Sequence, residues 1–420
     1  MDNNENLNNQ VNENNNVQEE KKNNSKTIGF VILIIGLLLI GVAVYKLFIE
    51  KPESDKPKDD NTQENGTNDT SKINAELKDA ISFAIKDQNK LVALTASGTE
   101  VLIYDFSNSN IKYNENTLSF QSSLLGDVNY DYDVNENVLY LFLYTTTSDK
   151  YIASIDLTKG NGNYNPEIVA KIDLTNTELS GMDSFGGAYI AKVGNSIYFS
   201  NKSLFKYDLQ TKQIENMNIT SDGRVMWVLK YNSNIIYNSK NDIYVLDISS
   251  KKSTHILSNG TPTFIYNNSL IYYYTGENSG TDKINEETDE RYYSYDFGTS
   301  SKQQVTKFIG IGDLYKEYII PSKTGLYSFN KLILYRYNNA LETVHEFTCD
   351  DFKDVISECT TDKLNIINNF VKISENEFLL EFGDNYEGEV YNVIYNISTN
   401  KVTASNGREV GQYNMEYYLK

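Results

Sequence analysis

Chemistry in this chain has few carriers. Histidine occurs twice, at His255 and His345, and cysteine twice, at Cys349 and Cys359. Acyl or phosphoryl transfer by a side-chain nucleophile needs that nucleophile, a base and a group to orient the base. Neither histidine stands in a motif that would bring these together, so no catalytic residue is assigned. A zinc site meets the same shortage of ligands, and no metal site is assigned. Asp131-Tyr132-Asp133-Val134-Asn135 begins like a calcium loop. It then departs, with Glu136 where a glycine makes the turn and Phe142 where a bidentate glutamate closes the site. The alternation there, followed by Val138 to Tyr144, predicts a strand ending in a hairpin turn. Cys349 and Cys359 are ten residues apart. Their spacing allows a disulfide or two free thiols and does not choose between them.

Binding residues are easier to nominate. Tyr272-Tyr273-Tyr274 is an aromatic run that, if exposed, would stack on sugars or anchor a protein. The segment after it is rich in acids: Gly276, Glu277, Asp282, Glu286, Glu287 and Asp289 are candidate partner-binding positions.

The elements that must position these residues follow from hydropathy and repetition. Residues 1–26 are rich in Asn and Glu and too polar to offset ordering entropy, so a disordered tail is expected. Thr27 to Tyr45 carries no charge. As a helix it would be about 29 Å long against a hydrocarbon core of ~30 Å. A transmembrane helix is expected over 27–48, with Lys26 and Lys46 at its ends and the lipid bilayer as partner. Residues 49–78 read as a disordered, charged stalk. The lysines on the two sides do not decide orientation. A signal-anchor-like helix after a short tail places the C-terminal domain outside the cytoplasm, a single-pass protein of the cell membrane.

Residues 79–420 change character. Short apolar runs alternate with Asn, Asp, Ser and Gly, and a mark recurs at Asp105, Asp156, Asp208, Asp247, Asp296, Arg336 and Asn396, about 48 residues apart. At Arg336 the acidic residue is replaced. Each mark closes a strand at a turn, where Asp or Asn bonds its own backbone two residues on. Strands before and after it make a four-stranded antiparallel unit, as in Arg224–Tyr231, Asn234–Asn238, Asp242–Ile248 and Ser253–Leu257. Seven such units predict an all-β, seven-bladed β-propeller, preceded by one transmembrane α-helix.

The recurring Tyr/Ile/Leu-Asp-Leu/Ile/Phe, then Thr/Ser, Lys and Ile/Val, resembles the repeat of bacterial extracellular propellers of the surface-layer and quinoprotein-like type. It also resembles the membrane-anchored propellers of clostridia. The likeness covers residues 80–405 and implies a fold more than an activity. Quinone-binding and WD-repeat propellers use a tryptophan in each blade; here Trp227 is alone. No cofactor is expected.

A formal net charge of −19 repels nucleic acid, which is excluded as a partner. The leading reading is a non-enzymatic surface module binding a protein or a cell-envelope polysaccharide. A sensor or accessory subunit of a membrane complex is the alternative, and a glycosidase or lyase with channel carboxylates is the third. Three carboxylates converging at the channel would favour the enzyme. A plugged channel with an aromatic patch on a loop face would favour the binder. Three segments exceed simple turns: Leu174–Phe185, Gly276–Glu290 and Thr348–Leu364. Strand alternation predicts that all three emerge on one face.

Overall fold

The structure is a computed structural model. It describes residues 77, 79–108, 110–120, 130–147, 149–158, 164–172, 189–201, 203–219, 225–274, 292–306, 319–330, 332–356, 359, 367–383 and 390–418. The expected tail, transmembrane segment and most of the stalk lie outside them, as do Gly276, Glu277, Asp282, Glu286, Glu287 and Asp289. Among the described residues no helix is long and apolar enough to cross a membrane.

The chain builds seven four-stranded antiparallel sheets. Blade one contains β1 (Ala80–Lys86), β2 (Lys90–Thr95) and β3 (Glu100–Asp105), followed by a small hairpin, β4 (Lys112–Tyr113) and β5 (Asn116–Thr117). Blade two is β6 (Tyr130–Asp133), β7 (Val138–Tyr144), β8 (Lys150–Asp156) and β9 (Glu167–Ile172). Blade three is β10 (Ile190–Val193), β11 (Ser196–Asn201), β12 (Ser203–Asp208) and β13 (Ile214–Asn216). Blade four is β14 (Val225–Tyr231), β15 (Asn234–Ser239), β16 (Asp242–Asp247) and β17 (Lys252–Leu257). Blade five is β18 (Gly260–Tyr266), β19 (Ser269–Tyr274), β20 (Tyr292–Asp296) and β21 (Lys302–Gln304). Blade six is β22 (Ile319–Ser322), β23 (Gly325–Asn330), β24 (Ile333–Asn338) and β25 (Ala340–Glu346), then a one-turn helix α1 (Cys349–Phe352). Blade seven is β26 (Ile367–Lys372), β27 (Glu377–Phe382), β28 (Tyr391–Asn396) and β29 (Lys401–Ala404). The last strand, β30 (Tyr413–Tyr418), returns to blade one and pairs with β1.

Packing on both faces explains why second strands carry apolar residues at consecutive positions, as in Leu139 to Tyr144 and Phe378 to Leu380. In β7, Leu139, Leu141 and Leu143 pack toward blade one, while Tyr140, Phe142 and Tyr144 pack toward blade three. A strand buried on both faces has no polar face to show. The same division gives seven apolar clusters, one between each pair of neighbouring blades. The seventh joins Val371, Ile373 and Leu379 of blade seven to Ile81, Ala84, Val92 and Leu94 of blade one, which closes the ring.

Six of the seven marks end the third strand of their blade, as the sequence predicts. Asp105, Asp156, Asp247 and Asn396 each accept the backbone N–H two residues on, at 2.9, 2.9, 2.8 and 3.1 Å. The sixth mark is displaced. Arg336 lies inside β24 and reaches across to Glu342 at 2.6 Å. The strand continues to Asn338 and turns at Asn339, which adopts φ +64°.

Candidate functional site

First strands of successive blades lie against one another, β6 with β10, β10 with β14 and β14 with β18, and so form the hub. Two polar clusters sit there. Lys192 of β10 is almost fully buried, and its Nζ lies 2.7 Å from Asp133 Oδ2 and 2.7 Å from Glu136 Oε2. The ring of Tyr140 stands 5.5 Å from the same ammonium. The Lys192 backbone N–H donates to Asp131 Oδ2 at 2.7 Å. Burial pulls the Lys192 amine down, but its bonds to Asp133 and Glu136 outweigh that and hold it above its usual value. Burial pushes the Asp133 carboxyl up, and the Lys192 bond with the Asn135 and Glu136 N–H groups holds it below. Both members of the pair are therefore charged at neutral pH. Asp131 differs: burial dominates and raises its carboxyl, against the Lys192 N–H and the charge of Lys230 on β14. Burial also takes the Tyr140 phenol up to about 12.

The second cluster joins blades five to seven. Tyr266 donates its hydroxyl to the carbonyl of Ser322 at 3.0 Å. Lys372 Nζ donates to Ser322 Oγ at 2.9 Å and lies 3.3 Å from Glu375 Oε2. Burial lowers the Lys372 amine, opposed by the Glu375 charge.

Three carboxylates do converge at the hub, then, but around an ammonium. Two are taken up by Lys192 and the third accepts a backbone N–H. This is an ion cluster spanning a blade interface, with Lys192, Asp131 and Asp133 buried and Glu136 exposed at its edge. Asp131 to Asn135 form β6 and its hairpin turn, as the alternation predicts. Among the described residues no group of three or more His, Cys, Asp or Glu could hold a metal ion. The lysines were not singled out from sequence. Each is a lone charge in an apolar first strand, Ile-Ala-Lys-Val and Phe-Val-Lys-Ile, and that was the available signal.

The channel side of blade one is occupied. β30 pairs with the edge of β1 that faces away from β2, and it also lies against β22 of blade six. How the ring's interior was filled could not be read from the repeats.

Both histidines lie on outermost strands, β17 and β25. Ser258 Oγ and Asp242 Oδ2 approach His255, but both at Nε2, at 3.2 and 3.9 Å. A relay needs the hydroxyl on one ring nitrogen and the acid on the other. His345 meets Asp351 at 3.1 Å and stacks on Tyr395.

The tyrosine run is corrected by the structure. Alternation on β19 sends Tyr272 into the cluster between blades four and five, where it is buried and stacked on Tyr293. Tyr273 packs partly into the next interface, against Tyr292. Only Tyr274, at the strand's end, faces solvent. Cys349 and Cys359 are joined in a disulfide with Cα atoms 5.4 Å apart.

The faces of the ring follow from the antiparallel ladders. Turns from second to third strands and connections between blades leave from one end of the strands. The connections β9 to β10, β19 to β20 and β25 to β26 all leave from that end; Leu174–Phe185, Gly276–Glu290 and most of the second half of Thr348–Leu364 lie outside the described residues. Met226, Tyr274 and Val390 also sit at that end and are 46, 36 and 43 % exposed. Tyr189 and Trp227 pack together there, ring centroids 3.9 Å apart and planes tilted by 34°.

No family model matches the chain, and no curated protein matches it. Several solved structures resemble it at low identity. A 6-phosphogluconolactonase-like protein from Bacteroides uniformis is 11% identical, with 81% of this chain and all of that one covered, at a TM-score of 0.43. A puromycin hydrolase variant is 10% identical over 79% of this chain and 52% of its own length, at 0.44. TolB from Acinetobacter baumannii is 12% identical over 64% and 62%, at 0.40. The seven sheets establish the propeller by themselves. Nothing about activity passes from these proteins to this chain.

Proposed function

We propose that this chain is a membrane-anchored, non-enzymatic propeller that binds a protein or a cell-envelope polysaccharide on one face. The observation that carries the reading is the coincidence of exposed apolar side chains with long connections. Met226, Tyr274 and Val390 are three of the five large apolar residues exposed among those described, and all lie on the face of the three long segments. Long loops on a rigid scaffold are where binding usually resides. The acidic run Glu277, Asp282, Glu286, Glu287 and Asp289 follows Tyr274 in the sequence. The hub favours this reading over the enzyme, because its carboxylates are engaged by Lys192 and β30 occupies the channel side of blade one. The anchor rests on the apolar run Thr27 to Tyr45.

The test uses a purified envelope preparation, with polysaccharide and protein fractions applied separately to the parent and to the triple variant Met226→Ser, Tyr274→Ser, Val390→Ser. One fraction is expected to bind the parent and to lose about tenfold or more in affinity for the variant, since few side chains dominate a binding face. Thermal unfolding of the variant should stay close to the parent's. Equal binding by both proteins would count against this face.

A further inference from the structure

The last strand is placed differently from every other strand. In blades two to seven the first strand is the innermost. In blade one, residues of β1, β2 and β3 share one apolar cluster with those of β6, β7 and β8, the Tyr130 hydroxyl of β6 donates to the Phe83 carbonyl of β1, and the mark Asp105 ends β3 as it does in the other third strands. β30 is therefore an addition on the channel side of a first strand. Its ladder to β1 pairs Lys86 with Tyr413, Ile85 with Asn414, Phe83 with Tyr417 and Ser82 with Tyr418, with an irregularity between Phe83 and Ile85.

The junction beside this strand also has contacts of its own. Blades seven and one meet directly through Val371, Ile373 and Leu379 against Ile81, Ala84, Val92 and Leu94. The backbone N–H of Glu375 also donates to the carbonyl of Ala96, at 3.1 Å, across the same junction. From the returning segment Val410 and Tyr413 also join that cluster, and both are almost fully buried. The crossing that precedes β30 is held by the buried Val410 side chain, by the Asp87 N–H donating to the Gln412 carbonyl at 2.8 Å, and by a few polar contacts. Arg408 donates to the Gly98 carbonyl at 3.3 Å, and the Val410 N–H donates to Asn392 Oδ1 at 2.9 Å. Glu409 lies near enough to Glu381 to add to the rise that burial gives that carboxyl, a like-charge contact. The crossing opens with an exposed turn, Asn406-Gly407, at φ +55° and +80°.

At its start the strand has one side-chain anchor. The Tyr413 hydroxyl donates to Glu100 Oε2 at 3.0 Å, and Lys86 Nζ stands 5.4 Å from its ring centroid while pairing with the same glutamate at 2.9 Å. Strand addition works in this way: main-chain hydrogen bonds supply affinity and a side-chain pocket supplies selectivity.

We propose that the channel-side edge of β1, with Glu100 and Lys86 as a tyrosine anchor, is a binding site for an extended polypeptide strand. Residues 413–418 are its occupant in cis, and that occupant exchanges with a free strand of the same sequence. The site is separate from the exposed face of the ring. In the intact chain the tether gives the cis strand a high effective concentration, so exchange becomes measurable once the tether is cut.

The experiment places a specific protease site in the exposed turn at 405–407 of the full chain, folds the protein and then cuts it. A fluorescent synthetic peptide of residues 409–420 is added in excess. The cut protein should take up label saturably, and the uncut protein far less. A peptide with Tyr413→Ala should bind about tenfold more weakly, as expected for the loss of an anchoring side chain. A second variant ends after Ser405. It should keep its β-sheet signal and gain thermal stability when the parent peptide is added. Three results would overturn the proposal: a cut protein that retains its own strand against the peptide, one that unfolds on cutting, or uptake indifferent to Tyr413→Ala.

Discussion

Lys192 shows how one residue can reverse the meaning of its neighbours. Three carboxylates near one another suggest acid–base chemistry, but an ammonium in their midst makes them structural. Replacing Lys192 by Met removes the charge and leaves the buried Asp133 carboxylate uncompensated, while Glu136 is exposed and Asp131 keeps its backbone N–H. We expect a loss of about 3 kcal/mol in urea unfolding at neutral pH, the usual cost of breaking a buried pair from one side. The pH dependence has two opposing parts. The folded state holds Asp133 below its ordinary value of 3.8. Its stabilising contribution is therefore complete above that value and drains away as pH falls through the lowered one. Asp131 has the other sign, because its folded value is raised above 3.8. Folding then favours the protonated carboxyl, and stability is gained as pH falls through that raised value. Unfolding curves from pH 7 to 3 should show Asp133→Asn with a shallower acid-side loss and Asp131→Asn with a steeper one. Identical pH slopes for the parent and both variants would remove the cluster from the account.

Turns carry the element scale. The exposed carboxylates of Asp208, Asp247 and Asp296 are each held below the ordinary value by the turn they close. The chief partners are the Thr211 N–H, the Ser249 hydroxyl and the Thr299 N–H. Gly325 opens β23 at φ +148°, and a Cβ there would come within 2.7 Å of the Tyr337 carbonyl. Gly194 also has positive φ, +56°, but open space around it. Gly325→Ala should cost about 2 kcal/mol through backbone strain and overpacking together. Gly194→Ala should cost about 1 kcal/mol, from conformation alone. Equal melting temperatures for the two variants would mean that the strand end relaxes. The disulfide is the other local staple. It ties α1, whose Phe352 is buried with Phe347 and Phe382, to the connection into blade seven. The pair Cys349→Ser, Cys359→Ser should lose roughly 3 kcal/mol, chiefly by freeing the unfolded chain. A reductant should lower the parent's melting temperature and leave the double variant unchanged.

At the scale of the molecule, a propeller stands or falls on each blade interface, since every blade is wedged between two others. The seven interfaces differ in aromatic content, from the phenylalanine-rich contact of blades six and seven to the small Ile81, Ala84 and Val92 contact of blades seven and one. Opening should therefore begin at the junction of blades seven and one, and hydrogen exchange should be fastest in β1 and β26 among the central strands. The proposed anchor makes a second prediction. Protease added to intact cells should remove the propeller if residues 27–48 span the membrane with the tail inside. Full protection, with known outer-surface proteins cut in the same sample, would turn the topology over.

Blade number and the strand ends at six marks were legible in the sequence, because each follows from local chemistry. An Asp at a strand end bonds its own turn, and a run apolar at every position must be covered on both faces. Arg336 misled by two residues because Asn338 and Asn339 form the turn, and only the register of β24 against β25 reveals it. Burial of Tyr272 was hidden for a related reason: three identical residues in a row do not say which side of the sheet each will face. The pairing of Lys192 with Asp133, the bond between Cys349 and Cys359 and the path of β30 into the channel were decided by tertiary structure alone. Each depends on which strands become neighbours across 59, 10 and more than 300 residues of chain. Spacing along a chain fixes local turns, whereas the Lys192 pair needs two blades to pack and β30 needs the two ends of the domain to meet.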